Sequence, residues 1–220
     1  MPTAPRVEER SELPDELPGM TDDDDVAEAL SLAQEASDTL RRMKQDAELS
    51  ALVERAQGLF IAPHYGRGAA GVGVRAGEGV LVARRGTEWS APGFFDLGGV
   101  SLGAQLGAEG GEVVMILMTQ EALDHFVTED QFTLNADAGL TLADYSAMDE
   151  AAAQRDSRDV IFWSDAEGLF AGVALSITDV SWDEEENQAY YGRDVSPDDV
   201  VSGRARREGA SAFGGELSSL

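Results

Sequence analysis

The stretch Glu112-Val113-Val114-Met115-Ile116-Leu117-Met118 contains the longest apolar run of the chain. It is strand-sized and unbroken by polar residues, the pattern of a strand at the centre of a sheet. It also falls far short of the ~18 apolar residues a membrane-spanning helix needs. Upstream, residues 94–106 read as a strand carrying Gly98, Gly99 and Gly103, and Arg85-Gly86-Thr87-Glu88 as a turn. Residues 69–75 and 78–84 read as a hairpin around Ala76-Gly77, and residues 59–62 as a short buried strand stopped by Pro63. Downstream, residues 121–127 read as a short helix and 132–142 as a further strand. Residues 143–154 are ambiguous, with Ala151-Ala152-Ala153 favouring helix. Residues 159–164 and 169–182 read as a last strand pair turning at Ala166-Glu167-Gly168, and 184–191 and 197–201 as short helices.

Many of the 24 glycines fall inside these strands rather than at turns. Glycine weakens a strand unless backbone must approach closely or the sheet must bend. The expected fold is therefore α+β: a curved, largely antiparallel, glycine-rich β-sheet or small barrel, packed by N-terminal helices and short C-terminal helices.

The N-terminal helices are read from spacing and caps. Thr21 followed by Asp22, Asp23, Asp24 and Asp25 marks a helix start, with carboxylates at the positive end of the dipole. Val26, Leu30, Ala33, Leu40 and Met43 recur at helical spacing, and Arg41, Arg42 and Lys44 suit the negative end, giving a first long helix over 21–44. Asp46 caps a second helix with Leu49, Leu52, Val53 and Ala56 on its apolar side, ended by Gly58. Residues 1–20 hold four prolines and five acids and read as a disordered acidic leader; residues 21–203 form a single domain, and 204–220 a flexible tail.

The chain has 220 residues, and 42 Asp plus Glu against 16 Lys plus Arg give a formal charge of -26. That balance excludes a surface built to grip nucleic acid. Lys44 is the only lysine, a bias that fits a proteome adapted to high salt or, equally, an Arg-favouring GC-rich genome. The absence of cysteine excludes disulfides, thiol catalysis and thiolate zinc sites. The first ten residues lack the basic-then-apolar layout of a signal peptide, so the expected location is cytoplasmic, with peripheral membrane contact.

No motif carries enzyme chemistry. Gly66-Arg67-Gly68-Ala69-Ala70-Gly71 matches the dinucleotide fingerprint, but Pro63 precedes it and a β-patterned segment follows where a helix is required. His64 and His125 have no neighbouring serine or carboxylate at catalytic spacing. Asp183-Glu184-Glu185-Glu186 lacks the glycine and the alternating oxygens of a calcium loop and reads as a capped helix turn. No enzyme activity, cofactor or metal is expected.

What remains is an ordered set of glycine and aromatic motifs. They are Gly58-Leu59-Phe60 with Pro63; Trp89-Ser90-Ala91-Pro92 with Phe94-Phe95; and Gly98-Gly99 with Gly103-Ala104-Gln105-Leu106-Gly107. Asn135-Ala136-Asp137-Ala138, Gly168-Leu169-Phe170-Ala171-Gly172, and Asp183 with Asn187, Tyr190, Tyr191 and Gly192 complete the set. In this order they resemble the SYLF family, over residues 41–203. The resemblance implies a non-catalytic α+β domain that binds phosphoinositides or other anionic lipid surfaces and, in fungal members, actin. The family's basic contacts carry over onto Arg41, Arg42, Lys44 and Arg67. One departure is local: Leu140-Thr141-Leu142-Ala143-Asp144-Tyr145 replaces the family's Ala-Ala-Gly-Pro, leaving strand, helix or loop open there. The expected function is thus lipid binding at an anionic membrane surface. The alternative is a protein–protein interaction or actin-regulator-like module that has lost lipid binding.

Overall fold

The computed structural model of the chain describes residues 23–65, 74–100, 111–128, 131–132, 140–148, 158–165 and 177–207. Helix α1 (Asp23–Met43) opens on Asp23, Asp24 and Asp25 and closes on Arg41 and Arg42, opposite charges at opposite ends of the dipole. Its buried side is Ala29, Leu32, Ala33, Ala36, Leu40 and Met43. Leu30, expected on that face, instead stands 41% exposed, because the stripe is centred on the 29/33/36/40 ridge.

Helix α2 (Ala47–Arg55) is capped as expected: Asp46 accepts from the amides of Glu48 at 2.8 Å and Leu49 at 3.1 Å. It stops at Ala56, before Gly58. Its free carbonyls are taken by Arg84, whose Nε donates to Ala56 O at 2.9 Å while a terminal nitrogen donates to Val53 O at 2.7 Å.

Nine strands follow: β1 (Gly58–Tyr65), β2 (Val74–Arg85), β3 (Glu88–Trp89), β4 (Gly93–Val100), β5 (Gly111–Leu117), β6 (Gln131–Phe132), β7 (Leu142–Asp144), β8 (Val160–Ser164) and β9 (Ile177–Trp182). They form one sheet in the order β6-β9-β4-β2-β1-β5-β8-β7, with β3 pairing β2. Every pairing is antiparallel except β7 with β8. The strand β5, paired to β1 and β8, is interior as its composition requires. Among the described residues nothing pairs β6 with β7, so the curved sheet stays open and the small-barrel form is not realised.

Alternation along the strands sorts the core into two faces. Val82, Leu59, Ile116 and Ile161 stand in cross-strand register on one face, and Leu81, Phe60, Met115 and Phe162 on the other. The first face is covered by α1 and α2, then by α4 (Glu184–Tyr191) through Tyr190 and Tyr191. The second is covered by α3 (Gln120–Thr128) through Ala122, Leu123 and Phe126. Helix α5 (Pro197–Val201) closes one end, with a Ser196/Asp199 capping box and Pro197 in its first turn.

Three expectations need correction. Residues 74–85 are one strand, with no hairpin at Ala76-Gly77. Gly77 lies instead against the backbone of Tyr65, where a β-carbon would stand 3.3 Å from its Cα. Pro63 does not stop β1, which continues to Tyr65 across a register shift between Ala62 and Tyr65 that absorbs the missing amide. The strands β8 and β9 do not pair: β8 adjoins β5, whereas β9 adjoins β4 at the other side of the sheet.

In the 140–145 segment the strand survives as β7, followed by a single 3-10 turn at Tyr145–Ala147, not a helix. Asp144 accepts from the amide of Ser146 at 2.9 Å, a local turn that competes with helix propagation. The leader, Thr21, the glycine loop at 66–71, Gly103, Asn135 to Ala138, Ala151 to Ala153, Gly168, Phe170 and residues 208–220 lie outside the described residues. Residues 204–207 are described, and Ala205 is buried.

Candidate functional site

The motif residues of the C-terminal third build one junction between α4 and β4. Asp183 caps α4 by accepting from the amide of Glu186 at 2.8 Å. Asn187, 1% exposed, accepts from the amide of Phe94 at 3.1 Å and donates to Phe94 O at 2.8 Å and Asp183 O at 2.6 Å. Its amide thereby continues the ladder of β4 beyond the last β9 pair, Phe95 with Trp182. Tyr191 donates to Pro92 O, and its burial pushes the hydroxyl pKa up. Tyr190 packs on Phe94 with centroids 5.1 Å apart. Gly192 ends α4 in the left-handed region, at φ 65°. Trp89 lies under the Arg84 guanidinium at 4.1 Å. These motif residues hold the fold together.

The four residues expected to contact lipid fall differently. Arg41 and Arg42 end α1, and Lys44 follows it; Arg67 lies outside the described residues. Arg41 pairs with Asp38, three residues back. Arg42 reaches from α1 to the start of β5, pairing with Glu112, and donates to Thr39 Oγ1 at 3.1 Å. Both guanidiniums are thus matched by carboxylates of the same chain.

Among the described residues a groove of about 800 Å³ lies between α3, α4 and α5. Trp182 and Val127 supply the apolar wall, over the buried Phe126; Glu184, Glu185 and Asp194 supply carboxylates, and Pro197 lines it as well. Trp182 ends β9 and is fixed edge-on against Phe95, with centroids 5.1 Å apart. Glu184 and Glu185 are the exposed first turn of α4, and Asp194 accepts from Gln188 Nε2 at 2.9 Å. Sequence reading placed Glu184 and Glu185 correctly in a helix turn but missed Asp194 and the groove. The available signal was Trp182 directly preceding the acidic turn.

Behind the groove Glu186 points inward. Its carboxyl pKa is pushed up to about 7, first by burial and then by Asp183, Glu78, Glu28 and Asp25. Glu78 is raised as well, by burial first, then by Glu28, Asp96 and Asp183. Glu186 Oε1 is buried without a hydrogen-bond partner. Among the described residues no group of three or more acids or histidines is arranged to hold a metal, and no helix is long and apolar enough to cross a membrane.

The family described as Las17-binding protein actin regulator, Ysc84, matches residues 98–219, a span that includes α3, α4, α5 and the groove. The chain belongs to this family. It is the one to which the SYLF motifs point. LAS seventeen-binding protein 3 of Saccharomyces cerevisiae is 33% identical over 159 residues, covering 70% of this chain and 34% of the yeast protein. Protein YSC84 of the same yeast is 32% identical over an equal span, 70% of this chain and 34% of the relative. SH3 domain-containing YSC84-like protein 1 of Homo sapiens is 29% identical over 138 residues, 62% of this chain and 40% of the human protein. The match thus spans about a third of the length of the yeast relatives.

Proposed function

We propose that this chain is a non-enzymatic, cytoplasmic protein-interaction module of the actin-regulator kind, which docks a basic segment of a protein partner in the groove between α3, α4 and α5. The supporting observation is the groove itself, where Glu184, Glu185 and Asp194 flank the partly exposed Trp182 and Val127. The Trp182 ring supplies contact area and the carboxylates select Lys or Arg. A net charge of -26 speeds encounter with a basic partner and disfavours an acidic one. The relatives' names describe Las17 binding and actin regulation, which agrees with a protein partner.

The test is calorimetric titration with a synthetic peptide carrying Arg, Lys and aliphatic residues. Wild type should bind it, and Glu184→Lys/Glu185→Lys/Asp194→Lys should not. Equal affinity for both, or no binding by wild type, removes the groove as the docking site.

Anionic-lipid contact through Arg41, Arg42, Lys44 and Arg67 is the second reading. It is favoured by the half-exposed Arg42 guanidinium beside Lys44 at the end of α1. Each exposed basic residue adds about 1 kcal/mol at an anionic leaflet, and the intrachain pairs of Arg41 and Arg42 compete with that gain. Vesicle sedimentation of Arg41→Gln/Arg42→Gln/Lys44→Gln against wild type decides it; equal sedimentation removes this site.

A further inference from the structure

Arg193, Arg204, Arg206 and Arg207 crowd into a short stretch of a chain with 16 basic residues. Two left-handed glycines fold that stretch back on itself. Gly192 at φ 65° turns the chain out of α4 into Arg193, and Gly203 at φ 71° turns it after α5 toward Arg206 and Arg207. Buried Ala205, whose amide donates to Asp199 O at 2.8 Å, pins the returning segment. Arg193, Arg206 and Arg207 then line a cleft of about 490 Å³, with Tyr190 and with Val26 of α1.

The three guanidiniums are held in different ways. Arg207 lies over the Tyr190 ring at 5.1 Å, and that ring is itself fixed against Phe94 and Tyr191. Arg193 donates to the carbonyls of Asp194 at 3.3 Å and Arg204 at 3.4 Å, long bonds that leave its other donors for a ligand. Arg206 is exposed. Arg204 is committed to Asp199 at 2.7 Å and takes no part. Among the described residues lining the cleft there is no carboxylate; Asp23, Asp24 and Asp25 precede Val26 on the first turn of α1, and Asp194 is engaged by Gln188. Nearby acids penalise any weakly charged anion. The same acids repel a dianion more strongly still, so recognition rests on a compact phosphate that accepts forked hydrogen bonds from several guanidiniums at once.

We propose that this cleft binds a phosphate monoester group through Arg193, Arg206 and Arg207. The group is either the headgroup of a lipid or part of a soluble phosphate; the recognition chemistry is shared. The cleft meets α1 at Val26 in its first turn, about 25 Å from Arg41, Arg42 and Lys44 by the rise of the helix. The two basic regions can therefore be altered separately, and this site is independent of the acidic groove.

The test uses the full chain and two probes. Inorganic pyrophosphate, titrated calorimetrically, represents the soluble source. Phosphatidylcholine vesicles doped with phosphatidic acid, a monoester, represent the lipid source, with phosphatidylglycerol, a diester, as the comparison. Wild type should bind pyrophosphate, phosphatidic acid vesicles or both. Arg193→Gln/Arg206→Gln/Arg207→Gln should weaken that binding about tenfold or more, while Arg41→Gln/Arg42→Gln/Lys44→Gln leaves it unchanged. Because Arg207 also packs on Tyr190, Arg206→Gln alone is the safeguard against misfolding and should weaken binding several-fold with an unchanged melting temperature. Binding to pyrophosphate alone, or to phosphatidic acid vesicles alone, supports the site and identifies its source. The proposal is overturned if neither probe binds, if Arg206→Gln binds as wild type does, or if phosphatidylglycerol vesicles bind equally well.

Discussion

The two faces of the sheet are made from alternate residues of the same strands, yet they are packed on different terms. Toward α1 and α2 the contact is aliphatic and small: Ala29, Ala33 and Ala36 of α1 and Leu52 and Val53 of α2 share one cluster with Leu59, Ile61, Val80, Val82 and Ile116. Toward α3 it is aromatic. Phe60 packs on Phe126 at 5.4 Å and on Phe95 at 6.1 Å, and Phe95 packs on Trp182 at 5.1 Å. A long helix with an alanine ridge lies flat on branched side chains. A helix of nine residues leaves room that rings must fill, and rings need space in the sheet itself. That space is Gly79, where any β-carbon would overlap the Phe60 ring. The contrast teaches where substitution is tolerated: the aliphatic face can exchange methylenes, while the aromatic face depends on one absent side chain.

The sharpest way to break this comparison is Gly79→Ala. It should destabilise the domain by about 3 kcal/mol, the upper range of overpacking, because ring and backbone must both move. A urea titration that shows less than about 1 kcal/mol would mean the aromatic face is as adaptable as the aliphatic one. Next comes Asn187→Ala, which leaves the Phe94 amide and carbonyl without their side-chain partner. A loss of about 2 kcal/mol is expected, and no loss would show that water replaces the amide. Asp46→Ala, which removes a cap at the aliphatic face and the 3.4 Å hydrogen bond that the Tyr145 hydroxyl donates to Asp46, should cost about 1 kcal/mol by the same measurement.

The smallest effect is on pH dependence. Glu186 titrates near 4.5 in the unfolded chain and about 7 when folded, so the native state holds more protons between those values. Its contribution is full below about pH 4.5 and is lost as pH rises through about 7. Melting temperatures across that window should therefore fall with pH on account of this group, and Glu186→Gln should flatten the fall. An unchanged slope in the variant would assign the effect to other carboxylates.

Periodicity and caps made most of this architecture legible. The interior strand at Val113, the Asp46 and Asp183 caps, the Gly86 turn and the short helices at Glu184 and Pro197 follow from local chemistry. What was misread is where glycine and distance matter. Gly77 looks like a turn residue in sequence but lies against the Tyr65 backbone, and Gly79, inside the expected strand 78–84, makes room for Phe60. Segments 159–164 and 169–182 look like a local pair, yet β8 and β9 find partners far along the chain. The candidate sites were hardest to read. Glu184 and Glu185 of the groove belong to an ordinary helix turn and Asp194 lies beyond the end of that helix, while the arginines of the cleft converge only because two glycines reverse the chain around α5. Arg41 and Arg42, by contrast, stand out in sequence, but Asp38 and Glu112 sit beside them in space.

The placement of β9 beside β4 also bears on how the chain assembles. The β1–β2 pairs, such as Ile61 with Val80, close a loop of roughly 20 residues, whereas Phe95 with Trp182 closes one on the order of 90. Two doublings of loop length add only about 1.2 kcal/mol of closure entropy, too little to weaken the finished sheet, but contacts of long separation form late. The β1, β2 and β4 ladder can then act as the seed, with β9 and α4 docking onto it as a later unit and opening before it. The acidic groove and the arginine cleft both include residues of that later unit. Native-state hydrogen exchange should show amides of β9 exchanging through a lower-energy opening than those of β1; equal protection in the two strands would mean the sheet opens as one body.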